Sequence, residues 1–508
     1  MRARRSAAIG LFVLGTSAHG ATNTILTLAE DEVANGNCTL REAILATITE
    51  AAVDACEGDP GPDTIVLAAS GIYDLDDGEM AELPSTSDLT LRGAAPLPRG
   101  SYVVDLGGTQ RLARLASGAR LQIENLEITG GFGLPGTSNL GGGAIYSQNG
   151  NLGLLNVTIS NSSATSGGAI ETIGSGTLDL ESVELSNNRA EAGGSSSQRY
   201  GGGLRIHSFG NPAIRLVNVR FIGNRIEDPT PGHVGNGGGM ALYSGFGGDL
   251  TLRGLVFDGN VIDIDGTGAG AGLYADCEGN GTRFELQDAE FRNNRFLTPT
   301  PNDAAAAFYL EIEGFPTAAI RRVRALGSAT DGARSLAGLA VGFPTTLLVS
   351  DLLLTDGGAI GLEATSSLSG TSLVLGNLTV TGQAGTGLVL RELAPASLLL
   401  ENSIVFGNAL SAGSEVDVEG TTPEISPENL IGVDPGFVDS ASGDYRLAAG
   451  SIAADAGDSA FASVGPFDLA HGPRLVGPEI DLGAFERGGT FADGFESGDT
   501  HAWSATLP

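Results

Sequence analysis

The chain has 508 residues, with 60 acidic side chains against 27 basic ones and a net charge of −33. That charge repels phosphate backbones and anionic lipid surfaces, so nucleic-acid binding is excluded as the main role. Hydrophobic residues make up 41% of the chain, too many for disorder, and the 78 glycines lack the every-third-residue period of collagen.

The first twenty residues read as a secretory leader. Basic MRARR precedes a short apolar run, AAIGLFVLG, and Ala18, His19 and Gly20 form a small-x-small cleavage site. Removing Arg2, Arg4 and Arg5 with it takes the charge from −33 to −36. No later stretch approaches 18 consecutive apolar residues, so no transmembrane helix is expected. The expected location is outside the cell or on a bacterial outer surface.

A helix is expected after Cys38. Thr39 and Glu42 have the spacing of a capping box, and Leu40, Ile44 and Ile48 then share one face. Such a helix can cover the open end of a stacked fold. In an oxidising compartment Cys38 and Cys56 could pair. A continuous helix to Ala55 would be roughly 24 Å long, whereas bonded cysteines need Cα atoms within about 7 Å. Pairing therefore requires the helix to stop near Thr49 and the chain to double back. Cys277 is expected to be a small buried or semi-buried thiol rather than a nucleophile.

Two phrases then alternate along the chain. One starts with glycines: GGGAIYS from Gly141, GGAIETI from Gly167, GGGLRIHS from Gly201 and GGGMALYS from Gly237. Degraded copies follow from Gly270, Ala305 and Leu336. The first aligned apolar residues are Ile145, Ile170, Leu204, Met240, Leu273, Phe308 and Leu339, in steps of 25, 34, 36, 33, 35 and 31 residues. The second phrase, of the type LVNVRFIGNR, carries period-two alternation, the mark of strands. No helical pattern separates the strands, which excludes βαβ folds here. The repeats are also too short for propeller blades. The fold class expected is all-β: a right-handed parallel β-helix with a short N-terminal capping helix, running continuously after about Ala21. Recurring Asn161, Asn188, Asn224, Asn260 and Asn294 suit a stacked amide ladder or simply a permissive turn.

The expected segments are a leader at 1–20, a cap at 21–62, coils at 63–401, last coils and a C-terminal region at 402–486, and a tail at 487–508. GGAI at 167–170 and FxxN at 221–224, 257–260 and 291–294 resemble the repeat pair of chlamydial polymorphic outer-membrane proteins, which are β-helical surface adhesins. The C-terminal membrane barrel of that family has no counterpart here, so its export route is not implied. CTLREAI at 38–44 resembles the CSLREA motif of secreted bacterial β-helix proteins, with Thr39 in place of serine. DPGF at 434–437, DYRL at 444–447, DAG at 455–457 and DLGAFE at 481–486 resemble the choice-of-anchor Q region. Together these resemblances imply a pectin-lyase-like β-helix at a bacterial surface, with no activity attached. The tail, with the single tryptophan Trp503, resembles C-terminal segments of gammaproteobacterial exported proteins and reads either as a sorting tag or as a strand on the last coil.

Alternation places Tyr146, Glu171, Arg205, Ala241, Tyr274 and Tyr309 in one outward row. Gln148, Ile173, His207, Tyr243, Asp276 and Glu311 form the next. Tyrosines beside carboxylates suit a sugar-binding surface, with ring faces stacking and polar edges hydrogen-bonding. The expected ligand-binding residues are Tyr243, Tyr274, Tyr309, Asp276 and Glu311, and the partner a polysaccharide or a cell surface. Outward tyrosines also suit strands on propensity alone. The alternative is a polysaccharide lyase or glycoside hydrolase, with Asp276, Glu311, Arg205 and His207 as catalytic candidates. No resident cofactor or metal is expected, with calcium left open. The acidic turns at 74–78 and 263–266 resemble calcium loops without their closing glutamate, no His/Cys cluster has zinc spacing, and no GxSxG elbow is present.

Overall fold

Thr39 caps the helix Leu40–Thr49 as a full capping box: its side chain accepts from the Glu42 N–H, and Glu42 reaches back to the Thr39 N–H. Glu50, in a left-handed conformation, ends the helix. The chain doubles back, and a disulfide joins Cys38 to Cys56 with Cα atoms 4.9 Å apart. Leu40 and Ile44 are buried against the first coil. These features belong to a computed structural model. It describes residues 20–488 apart from 31–33, 77, 79, 95–99, 134–140, 194–195, 211, 246–247, 280, 298–303, 328–333, 344, 368–369, 394–396, 409–413 and 462. The leader 1–19 and the tail from 489, with Trp503, therefore lie outside the described residues.

The chain winds as a parallel β-helix, 51% strand and 3% helix, with the right-handed crossover of parallel strands. Three parallel sheets of 23, 11 and 6 strands run along it, among the described residues. Eleven strands at ~4.8 Å spacing make a stack about 50 Å long. From Asn125 to Asn402 the 23-stranded sheet bends in successive coils at a residue of positive φ, through Asn156, Ser182, Asn218, Gly254 and Asn377. These are mostly the residue types that tolerate the left-handed region.

The expected inward file is present. Ile145, Ile170, Leu204, Met240, Leu273 and Phe308 pair in register across successive coils, each fully buried. Leu339 does not follow them. Phe308 pairs with Ala337 and Leu310 with Leu339, so the last step is 29 residues rather than 31. The next coil wall stacks Phe221, Phe257 and Phe291 at 4.6 and 4.8 Å between ring centroids, within 3° of parallel.

The ladder forms one residue away from where Asn161 places it. Asn188, Asn224, Asn260 and Asn294 are buried, and each Nδ2 donates to a carbonyl one coil earlier, as from Asn260 to Phe221. Each Oδ1 accepts the backbone N–H of the preceding rung. Ser162, not Asn161, is the first rung. Asn161 lies in the neighbouring file of left-handed turn residues with Asn187, Gly223, Gly259 and Asn293. Ladder and permissive turn are both real, on adjacent positions.

The β-helix does not run on to residue 486. Its last rungs are Val416–Gly420, Glu424–Ile425 and Leu430–Ile431. An antiparallel hairpin, Phe437–Asp439 with Asp444–Leu447, then starts a segment that returns along the outside of the largest sheet. Tyr445 Oη lies 2.8 Å from Thr355 Oγ1, the Ala484 N–H donates to Thr379 at 2.9 Å, and Arg474 sits buried beside Asp351 at 3.8 Å. Carboxylates of the C-terminal motifs clasp this segment to itself: Asp481 accepts from the Asp455 N–H, and Glu486 from those of Val476 and Asp481. Turn and clasp residues have no strand period, which is why alternation does not anticipate the return.

Candidate functional site

Within the 11-stranded sheet the strands Ile145–Gln148, Ile170–Gly174, Leu204–Ser208, Met240–Ser244 and Leu273–Cys277 each follow a glycine phrase, and the glycines set their register. Gly201 has φ of +62°, and a Cβ there would lie 2.1 Å from the Leu204 carbonyl oxygen. A Cβ on Gly202 would lie 2.1 Å from the Gly238 carbonyl of the next coil. Only glycine permits so close an approach. The strands that follow an intact phrase therefore begin at the same height, and the two outward rows stay aligned.

Both rows pair in the expected register. Tyr146, Glu171, Arg205, Ala241, Tyr274 and Tyr309 align one coil apart, and so do Gln148, Ile173, His207, Tyr243, Asp276 and Glu311. They are less open than expected. Tyr146 and Glu171 are buried, and Tyr243, Tyr274, Asp276, Tyr309 and Glu311 are half-buried. At Tyr243 the cover is a wall that alternation does not reveal. The long strands Arg225–Asn236 and Val261–Ala269 pair in the 6-stranded sheet, and Gln198–Tyr200 joins Arg225–Asn236. Asn236 in this wall donates to the Tyr243 hydroxyl at 3.1 Å. A buried Arg199–Asp228 pair at 2.9 Å stiffens it, and His233 Nδ1 lies 2.8 Å from the same carboxylate.

The aromatic rings form a series along the axis. Tyr200 meets Tyr243 edge-on at 4.8 Å, Tyr243 lies 5.3 Å from Tyr274, and Tyr274 stacks on Tyr309 at 5.8 Å and 10°. Tyr274 and Tyr309 thus turn their faces towards each other, as the inward phenylalanines do. This corrects the expectation that their faces are free for sugar rings: ring edges and hydroxyls line the surface. Tyr200 is the residue that alternation misses. Its signal is its place directly before the glycine phrase, where Asn236 and Ala269 stand in later coils.

Asp276 and Glu311 are direct partners on adjoining strands. Burial, then the charges of Glu311 and Glu278, push the Asp276 carboxyl up to about 6. Glu311 is raised by burial and by Glu278 and Glu313. The basic candidates stand two coils from Asp276 and three from Glu311. Arg205 pairs with Glu171 and lies 4.8 Å from the Tyr200 ring centre. His207 is held below its ordinary range by burial and by Arg205, whose Nη2 is 3.4 Å from its Nδ1. The structure therefore brings the acids together and keeps Arg205 with Glu171. Cys277 is fully buried beneath Asp276, and burial pushes its thiol up.

The acidic turns are differently engaged. Asp263 lies in the strand Val261–Ala269 and is held by Arg225. Among the described residues no three His, Cys, Asp or Glu side chains are grouped so as to hold a metal ion. No described helix is long and apolar enough to cross a membrane.

No protein-family model matches this chain, and no curated protein does. Among solved structures it is similar to the catalytic unit of a thermostable GH87 alpha-1,3-glucanase from Streptomyces thermodiastaticus strain HF3-3. The identity is 15% and the TM-score 0.39, over 80% of this chain and 72% of that one. So loose an overlap carries no argument about this chain, whose fold rests on its own strand pairing.

Asp276 gives a direct test of the electrostatics. Its folded pKa of about 6 exceeds the ordinary 3.8, so ionisation on raising the pH destabilises the fold between those values. Asp276→Asn cannot ionise. It is expected to match the wild type near pH 4 and to exceed it by about 1 kcal/mol at pH 7, after discounting for partial exposure. Thermal melts of both proteins across that range check this.

Proposed function

We propose that this chain is an exported β-helix protein that binds a glycan along the outward face of its 11-stranded sheet, at a bacterial surface or outside the cell. The observation that carries the reading is the axial series Tyr200, Tyr243, Tyr274 and Tyr309, running beside Asp276 and Glu311. Phenol hydroxyls and carboxylates along one groove offer donors and acceptors to sugar hydroxyls, and half-burial strengthens each such bond. The charge of −33 favours a neutral or amine-bearing glycan over a polyanion. The leader pattern at 1–20, the CSLREA-like 38–44 and the adhesin-like repeats support the surface location. A cell-surface partner carrying such glycans fits the same face.

A second reading is favoured by Asp276 with Glu311. The two residues pair directly on adjoining strands, whose ~4.8 Å spacing lets their carboxyls come within the range glycosidases use. With its raised pKa Asp276 would be the acid and Glu311 the nucleophile. A glycan array with an assay for new reducing ends or unsaturated products separates the readings. Tyr274→Ala with Tyr309→Ala is expected to weaken glycan binding by about 1–3 kcal/mol while the fold is kept. Unchanged binding in that double variant returns the tyrosines to strand propensity. Released product that Asp276→Asn abolishes, with binding retained, establishes the hydrolase instead.

A further inference from the structure

A cavity of about 240 Å³ opens on the same sheet face, at the coils that precede the tyrosine–carboxylate patch. Its floor is Tyr146, Glu171 and Arg205, in register over three coils, and its opposite side includes Thr165, Gln198 and Tyr200. The volume is below that of a drug-sized pocket, so it suits one ring-sized unit rather than a polymer segment.

Its charges cancel. Glu171, only 3% exposed, is bound by Arg205, and Arg199 is spent on the buried Asp228. An acidic ligand group would meet the Glu171 carboxylate, and a basic one would meet the Arg205 guanidinium, each against a charge already paired. Donors remain on the cavity side of the pair: a guanidinium carries five N–H groups, and the Arg205 side chain, which bonds Glu171 through Nη1, is 18% exposed. A ligand hydroxyl can accept from such an N–H, while the Tyr146 and Tyr200 rings that line the cavity offer apolar surface. From these features we infer that the cavity is a subsite for one uncharged sugar unit. The rest of the chain then runs from it along the axis past Tyr243, Tyr274 and Tyr309. The inference rests on the glycan-binding reading. It adds to it an uncharged sugar at this position and a direction for the chain.

The test titrates the wild type with neutral gluco-, manno- and galacto-oligosaccharides of one to six units, alongside amine-bearing and uronic oligomers. Two variants fill the cavity from separate segments: Ser196→Trp from an exposed position at its edge, and Thr165→Trp. Melting curves confirm that each is folded, and either folded variant suffices. The expected result is binding of the neutral series that strengthens with length, weakened about tenfold at every length by cavity filling, which is one lost cluster of contacts. Tyr274→Ala with Tyr309→Ala should weaken only the longer oligomers. If the filled variants bind like the wild type, or if only charged oligomers bind, the subsite is overturned and the glycan-binding reading stands. If no glycan binds at all, that reading falls and takes the subsite with it.

Discussion

Asn260→Ala is expected to cost about 3 kcal/mol or more of stability. The side chain is fully buried and serves three coils at once. Its Nδ2 donates to the Phe221 carbonyl at 2.9 Å and to Asn294 Oδ1 at 2.9 Å, and its Oδ1 accepts from the Asn224 N–H at 3.0 Å. Alanine leaves the Asn224 N–H and the Phe221 carbonyl without those partners, away from water. Each orphaned group costs about 1–3 kcal/mol. Asn161→Ala is the control, because Asn161 is exposed and outside the ladder. Its cost should be about 1 kcal/mol, that of giving alanine a positive φ. Denaturant melts of both variants check the contrast, and equal losses would mean that the amide ladder contributes nothing beyond its turn. In a stacked fold the Asn260 loss should also appear locally, as faster amide exchange in the coils on either side.

The outward rows and the inward file were legible because period-two alternation reports the side of a strand, and the glycine phrase marks where each strand starts. Positions without such a marker were not. SNSS at 160–163 has one asparagine where SNNR at 186–189 has two, so alignment by residue type alone slips by one and puts Asn161 on the ladder. In the degraded LAGLAVG copy, small residues hide the start, and Ala337 takes the place that Leu339 seemed to hold by size. Alternation also says nothing of how a ring turns about its own side-chain bonds. The facing of Tyr274 and Tyr309 towards each other had to come from coordinates. The wall bearing Tyr200 was hidden for a different reason: its contacts join segments more than thirty residues apart, such as Gln198 with Val234.

Arg205→Ala is expected to cost about 3 kcal/mol near pH 8 and clearly less near pH 5, a dependence that a packing defect alone would not produce. Glu171 is 3% exposed and Arg205 is its cation, with Arg111 a weaker second influence. Burial already holds the Glu171 carboxyl above its ordinary value, and the Arg205 charge and hydrogen bond oppose that rise. Removing Arg205 therefore moves the folded-state pKa further up, while the unfolded value stays near 4.5. A group whose folded pKa is raised binds its proton more tightly in the folded state. Its ionisation costs nothing below the unfolded pKa, and the cost grows as pH climbs towards the folded one. At low pH the variant holds a neutral carboxyl and loses mainly the contacts of the guanidinium with Glu171 and Tyr200. At high pH it must either bury an unpaired charge or keep a proton against the solution. Glu171→Gln in the same chain removes the charge, so the double variant should recover much of the loss at pH 8 and show a flatter pH profile. Melting temperatures of the three proteins at both pH values decide the matter. A loss that is the same at both, with no recovery in the double variant, would make Arg205 a packing residue and remove the charge-cancelled floor on which an uncharged sugar subsite depends.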